Sequence, residues 1–306
     1  MRVTDRMIFD AATLNSGRAQ ERAQQATQVA TTGVRVVHPG DDPAAAALVS
    51  AERGRVTRLD AIATATGRAS DELAAADGAL DEVGNLISRA RELAVQLSTS
   101  TYDAADRAAG AKEVQGIIQS VVASLNVKVG NRYVLAGNAD GAPPFAPVTF
   151  DALGNVDPVA TGAYAGDAGV RQVEIAPGVL QDASVRADVA MKGAGGGVDV
   201  LATLAALANA LSANDPVATS ATLTNLTAGT TQLASARGQA GASMAALDAA
   251  AAANKTARDD AKVRIGNLAD ADTIQAASEL ALAQRALDAA LTASAKSFQL
   301  SLLNKL

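Results

Sequence analysis

The side chains with the most obvious chemical potential fall in one short stretch, Gly33-Val-Arg-Val-Val-His38-Pro-Gly-Asp41-Asp42-Pro43, directly ahead of an alanine-rich run. His38 is the only histidine of the chain. It could belong to a catalytic triad or a metal site, but either needs partners. With no cysteine in the chain, none can be named. Asp41 and Asp42 could form a cation site or an acid/base pair. A simpler reading uses more of the neighbouring residues: Asp42 caps a helix, Pro43 takes its first position, and both carboxylates favour the positive helix end.

Other candidates weaken in the same way. The run Gly193-Ala-Gly-Gly-Gly197 lacks the strand-and-helix frame of a phosphate-cradling loop, and no G-x-x-x-x-G-K-[ST] occurs anywhere. It reads as a flexible connector. Asp81 with Glu82, and Asp103 with Asp106, read as solvated helix faces, while Arg237 and Arg258 read as pairing with carboxylates or snorkelling. No catalytic residue, cofactor site or metal site is expected, and nothing points to an enzyme.

The composition says what kind of scaffold carries these residues. In 306 residues aromatics make up 2%, tryptophan is absent, and the 49% hydrophobic fraction leans on alanine. Small side chains bury little area each but let helices approach closely, which favours long packed helices over a thick core. A net charge of −6 disfavours nucleic acid as a partner. No stretch approaches the roughly 20 apolar residues of a membrane span, and the N-terminus lacks the apolar core of a cleaved secretory signal.

Periodicity then gives the elements. The N-terminal segment has a thin apolar stripe, Val3, Met7 and Leu14, that is marginal as an isolated helix. From Leu59 to Leu97 apolar positions alternate steps of three and four, predicting a long heptad helix that breaks at Ser98–Tyr102. A further helix carries Val114, Ile117, Val121 and Leu125 and is expected to end near Gly130. Residues 138–198 hold most of the prolines and the alternating run Val170–Ile175 closed by Pro177-Gly178, read as β-strands. Asp199 should cap a leucine-rich helix. A second heptad series passes Leu226, Leu233, Ala240, Leu247 and Asn254, the asparagine standing where it can fix register. Asp272 with Gln275 has capping-box spacing ahead of a closing helix with Ile274, Leu280, Leu287, Leu291, Phe298 and Leu302.

The expected fold is therefore mainly α, an elongated antiparallel rod of long coiled-coil or bundle helices formed by both termini, with a small β-rich domain inserted in the middle. The expected divisions are 1–45, an N-terminal helix and connector pairing with 275–306; 46–137 and 199–274, two halves of a helical bundle; and 138–198, the β-rich insert.

Several quoted stretches resemble one family. Met1-Arg-Val-Thr4 with Met7, Thr31-Thr-Gly33, Arg35-Val, and Pro39-Gly-Asp-Asp-Pro43-Ala are similar to the N-terminal region of the flagellin superfamily. Arg132-Tyr-Val-Leu-Ala-Gly137 leading to Pro143-Pro-Phe145 resembles the hook-filament junction branch, also called hook-associated protein 3. Arg237 to Gly241, Leu268–Asp272 and Ser301-Leu-Leu303 resemble the superfamily's closing segment.

The resemblance covers about two thirds of the chain. It implies a structural protein of the bacterial flagellum that forms a junction ring between hook and filament. The alternatives are a flagellin building the filament or, further off, a coiled-coil signalling or adhesion module. It implies that Val3, Met7, Leu14, Ile274, Leu280, Leu287, Leu291, Phe298 and Leu302 serve inner-tube assembly. Gly33, Pro39, Asp41, Asp42 and Pro43 would shape the connector. The implied partners are further copies of the chain, a neighbouring hook-associated protein, flagellin or the next junction subunit, and an export chaperone on the C-terminal helix. The implied location is extracellular, reached through the flagellar type III route without signal cleavage.

Overall fold

The computed structural model describes residues 2–303, with side chains described for residue 7 and residues 9–296. Among the described residues seven helices and four short strands follow one another. They are α1 (Arg2–Thr32), α2 (Pro43–Leu97), α3 (Ala104–Leu125), β1 (Lys128–Val129), β2 (Arg132–Tyr133), β3 (Gln172–Ala176), β4 (Val179–Asp182), α4 (Ala187–Lys192), α5 (Val200–Ser212), α6 (Pro216–Ala269) and α7 (Thr273–Leu303). The chain divides into two compact units, one made of the residues before Leu59 and after Thr256, the other of Leu59–Thr256. The fold is mainly α, with two separate two-stranded antiparallel sheets among the described residues, β1–β2 and β3–β4.

In the Leu59–Thr256 unit, every heptad position read from Leu59 to Leu97 is buried, from Leu59 and Ile62 through Leu80, Val83 and Ile87 to Leu97. Their spacing keeps one stripe of the helix facing inward, and the partners are α3, α5 and the middle of α6. Helix α5 is apolar nearly all round and buries Leu201, Leu204, Leu207 and Leu211 completely. A helix without a polar face belongs in the centre of a core, and α5 packs there against α3.

One buried hydroxyl in this stripe has no hydrogen-bond partner: Thr66 Oγ1, on a residue only 2% exposed. An unmet buried polar group costs about 1–3 kcal/mol, so Thr66→Val is expected to stabilise the protein by about 1 kcal/mol in urea unfolding. A destabilised variant would show that the hydroxyl is satisfied in solution.

Local chemistry differs from the expectations at four places. Asp103 and Asp106 form a reciprocal capping box at the start of α3 and are not merely solvated. α3 stops at Leu125, five residues before Gly130, because Asn126 turns aside to bond both the N–H and the carbonyl of Phe145. The glycine run 193–197 is clamped: Gln232 Oε1 accepts from Val198 N–H at 3.0 Å, and its Nε2 donates to Ala190 O at 3.0 Å. A Cβ at Gly197 would lie 2.0 Å from Gln232 Oε1, so the segment runs close against the side chain that ties down its flanks and is not a free connector. Asn254 is buried, and its Nδ2 donates to Ile175 O on β3 at 2.7 Å, which ties the hairpin to α6 in place of a helix-to-helix seam bond.

Candidate assembly site: the terminal helix pair and its connector

The connector is held by backbone geometry at both ends. α1 ends where Gly33 takes φ +69°, a conformation that a side chain would strain. The chain then runs antiparallel to the segment following α6: Val34 bridges Asp270, Arg35 N–H donates to Ala269 O at 2.6 Å, and Ala271 N–H donates to Gly33 O at 2.8 Å. Val36, between these polar links, is buried with Ala45, Val49 and Ala269. The helix breaks after α1 and after α6 are therefore stitched to one another.

The paired carboxylates are consumed by capping. Asp41 Oδ2 accepts the N–H groups of Val37 at 3.0 Å and His38 at 2.8 Å. Asp42 Oδ1 accepts Ala45 N–H at 3.0 Å, and Pro43 opens α2. Both carboxyls are held below the usual carboxylate range, Asp41 chiefly by the His38 N–H and Asp42 chiefly by the Ala45 N–H. Among the described residues no group of three or more His, Cys, Asp and Glu could hold a metal ion. Pro39 is exposed, and the imidazole of His38, 3.9 Å from Asp41, faces solvent.

A depressed carboxyl contributes stability above its unfolded-state pKa and loses it as pH falls through its folded value. In Asp42→Asn that acid-side contribution is absent. The thermal midpoint of the variant is therefore expected to fall less than that of the wild type as pH is lowered below about 4. Parallel slopes for the two proteins would show that the cap carries no proton linkage.

Arg35 is a connector residue that the motif reading quoted without assigning it a role. Its Nη2 donates to Leu268 O at 3.0 Å and its Nη1 to Asp42 Oδ2 at 3.4 Å. One guanidinium thus links the last carbonyls of α6 to the cap of α2. Sequence spacing could not show this, since Arg35 and Leu268 are 233 residues apart.

α1 packs on α7. Ser294 Oγ lies 3.5 Å from Ala12 O, while Val34 bridges Asp270, so the two helices run antiparallel. The covered positions step by four and three: Ala12, Ser16, Ala19, Ala23 and Ala26 on α1, and Ala276, Leu280, Ala283, Leu287, Ala290 and Ser294 on α7. This is a heptad seam built mostly from alanine and serine.

Of the residues expected to serve assembly, Leu280 and Leu287 lie on this seam. Met7, Leu14, Ile274 and Leu291 are exposed, at 66%, 56%, 78% and 52%. The side chains of Val3, Phe298 and Leu302 lie outside the described residues. The seam sets Leu280 and Leu287 of α7 among alanines and serines, and the other large apolar residues named for assembly whose side chains are described stand off it.

A seam of small residues buries little apolar area per turn. Backbone amides of Ala12–Val29 and Ala276–Ser294 are accordingly expected to exchange with deuterium well before those of Leu73–Leu97 and Val114–Leu125. Equal protection of the two sets would contradict this.

The N-terminal part of the chain, residues 4–140, matches the family described as the bacterial flagellin N-terminal helical region. This match takes in less than half of the chain. Among curated relatives, a flagellin of Halalkalibacterium halodurans is 33% identical over 107 residues, covering 35% of this chain and 39% of the relative. Flagellar hook-associated protein 3 of Salmonella typhimurium is 28% identical over 150 residues, covering 49% of this chain and 47% of the relative. The aligned parts thus span less than half the length of these relatives. A solved flagellar hook-associated protein from Vibrio parahaemolyticus shares the fold at a TM-score of 0.66 and 17% identity, over 75% of this chain and all of that one.

Both terminal helices and the stitched connector lie in one compact unit, and the large core and both hairpins in the other. Among the described residues no helix is long and apolar enough to cross a membrane.

Proposed function

We propose that this flagellin-superfamily chain is a structural subunit placed at the junction between hook and filament, working by helix packing and not by catalysis. The observation that carries this reading is the α1–α7 pair. Its own seam is mostly alanine and serine with Leu280 and Leu287, while Met7, Leu14, Ile274 and Leu291 stay exposed on the same two helices. A monomer gains nothing from displaying them in water, whereas a polymer buries them between subunits. The likeness to hook-associated proteins in sequence and fold supports the junction over the filament itself.

In this reading 1–45 and 275–306 form the inner-tube part, 46–137 and 199–274 the bundle, and 138–198 the outward insert. The subunit meets further copies of itself, a hook-associated protein on the hook side, and flagellin or the next junction subunit on the filament side. An export chaperone covers the C-terminal helix until the chain leaves the cell through the flagellar channel without signal cleavage. The alternative, a flagellin, is favoured by the identity to the H. halodurans protein.

Immunogold electron microscopy of intact flagella, with an antibody against residues 138–198, separates the two. The junction role is expected to give one cluster of gold where hook meets filament. Label along the whole filament would make the chain a flagellin, and label on no appendage would remove it from the flagellum.

A further inference from the structure

A groove of about 580 Å³ opens in the Leu59–Thr256 unit, between one side of α2 and the segment leading into β3. Its polar lining comes from Arg68 and Glu72 of α2, Arg132 of β2, Asn138, and Arg171 with Gln172 at the start of β3. Val170, Val173 and three alanines supply an apolar wall. The volume falls in the range of small-molecule sites, and a mostly hydrophobic groove of this size would read differently from one with three guanidiniums.

The charges are arranged, not scattered. Glu72 lies 2.7 Å from Arg171 and 3.8 Å from Arg132, and Asp140 lies 2.5 Å from Arg132 and 3.8 Å from Arg171. This ring fixes two guanidiniums without external help, and the Arg171 side chain is only 13% exposed. Gln172 is held by its Nε2, which donates to Asp182 at 2.9 Å, so its carbonyl oxygen remains as an acceptor. Arg68, one turn before Glu72, has no ion-pair partner in this ring. It is the third guanidinium of the groove, whose lining has three arginines and one glutamate.

We propose that this groove binds a sugar acid, a hexuronate unit either free or at the end of a polysaccharide. Arg68 takes the carboxylate, because a guanidinium fork matches its two oxygens. The Arg132 edge, half exposed, adds a donor, and the carboxamides of Asn138 and Gln172 with the oxygens of Glu72 meet ring hydroxyls. The apolar wall takes the C–H face of the ring. A bare phosphate would leave most of this volume and the carboxamides unused.

The test is a titration of the full chain, ¹⁵N-labelled, followed by NMR, with sodium glucuronate as the probe and glucose and inorganic phosphate in parallel. Saturable shifts confined to residues around Arg68, Asn138 and Gln172 are expected at millimolar glucuronate, with half-saturation raised about tenfold in Arg68→Gln. Arg68 is exposed on a helix surface, so that variant keeps the wild-type spectrum elsewhere. A glucuronate-capped oligosaccharide giving the same shifts places the unit at a chain end; its failure to do so alongside free glucuronate leaves the free sugar acid as the ligand. No saturable shift with glucuronate, equal shifts with phosphate or glucose, or an unaltered Arg68→Gln titration would each overturn the proposal.

Discussion

Leu291→Asp is expected to unfold at the wild-type temperature and yet fail to assemble into flagella. Leu291 is 52% exposed and lies off the α1–α7 seam, so in the free subunit its replacement exchanges one solvated side chain for another. Exposed substitutions of this kind stay within about 0.5 kcal/mol. In the polymer the same position would carry a carboxylate into an apolar contact, where an unpaired charge costs several kcal/mol per subunit and the penalty repeats around a ring. Leu287→Asp is the internal contrast. It strikes the seam itself and is expected to separate α1 from α7 in the monomer, read as lost helical ellipticity and faster proteolysis of both ends. Differential scanning calorimetry of both variants, with swimming assays of complemented strains, checks this. Wild-type motility in Leu291→Asp would remove that position from the assembly surface.

Arg107→Ala is expected to cost about 3 kcal/mol of folding free energy, the largest loss from any single polar side chain considered. Arg107 is 5% exposed. Its Nε donates to Leu97 O at 2.9 Å, its Nη2 to Thr99 O at 2.7 Å, and its Nη1 to Asn214 Oδ1 at 2.6 Å. The guanidinium thus closes the end of α2 and holds the turn after α5, where Asn214 sits at φ +54°. Truncation strands three acceptors at once, which no rearrangement of a nearby apolar residue can satisfy. Arg107→Lys is expected to recover only part of the loss, since an ammonium lacks the planar fork that reaches three acceptors on different segments. Urea unfolding followed by circular dichroism measures both; a loss below about 1 kcal/mol in the alanine variant would mean that water replaces the side chain.

Arg237, one of the two arginines read as pairing or snorkelling, finds its partners across the fold. Arg237 reaches Asp77 at 2.9 Å and Asp81 at 2.5 Å, as the pairing reading implied, although the partners lie about 160 residues away and no spacing rule could name them. Asp81 had looked like one of many solvated carboxylates, and it is Arg237 on the opposing helix that makes it a contact.

The local signals were the legible part. Heptad spacing from Leu59 to Leu97 fixes which stripe of a helix is apolar, whatever it packs on, and that stripe is the buried one. Asp42, Asp199 and Asp272 cap helices as their positions indicated, because a cap acts over two or three residues along the chain. For Asp272 the capping box is half made: its carboxylate accepts the N–H of Gln275, while the Gln275 side chain turns to Glu279.

What the linear chain could not carry is the choice of partner across long separations. Arg35 meeting Leu268, Gln232 clamping the glycine run, and Asn254 holding β3 each join segments far apart in the chain, and a residue's type limits the bonds it can make without naming their other end. The α1–α7 seam shows the same limit from the apolar side. Alanine is too common in this chain for Ala12, Ala19 and Ala23 to stand out, and their burial is decided only once both helices are in place.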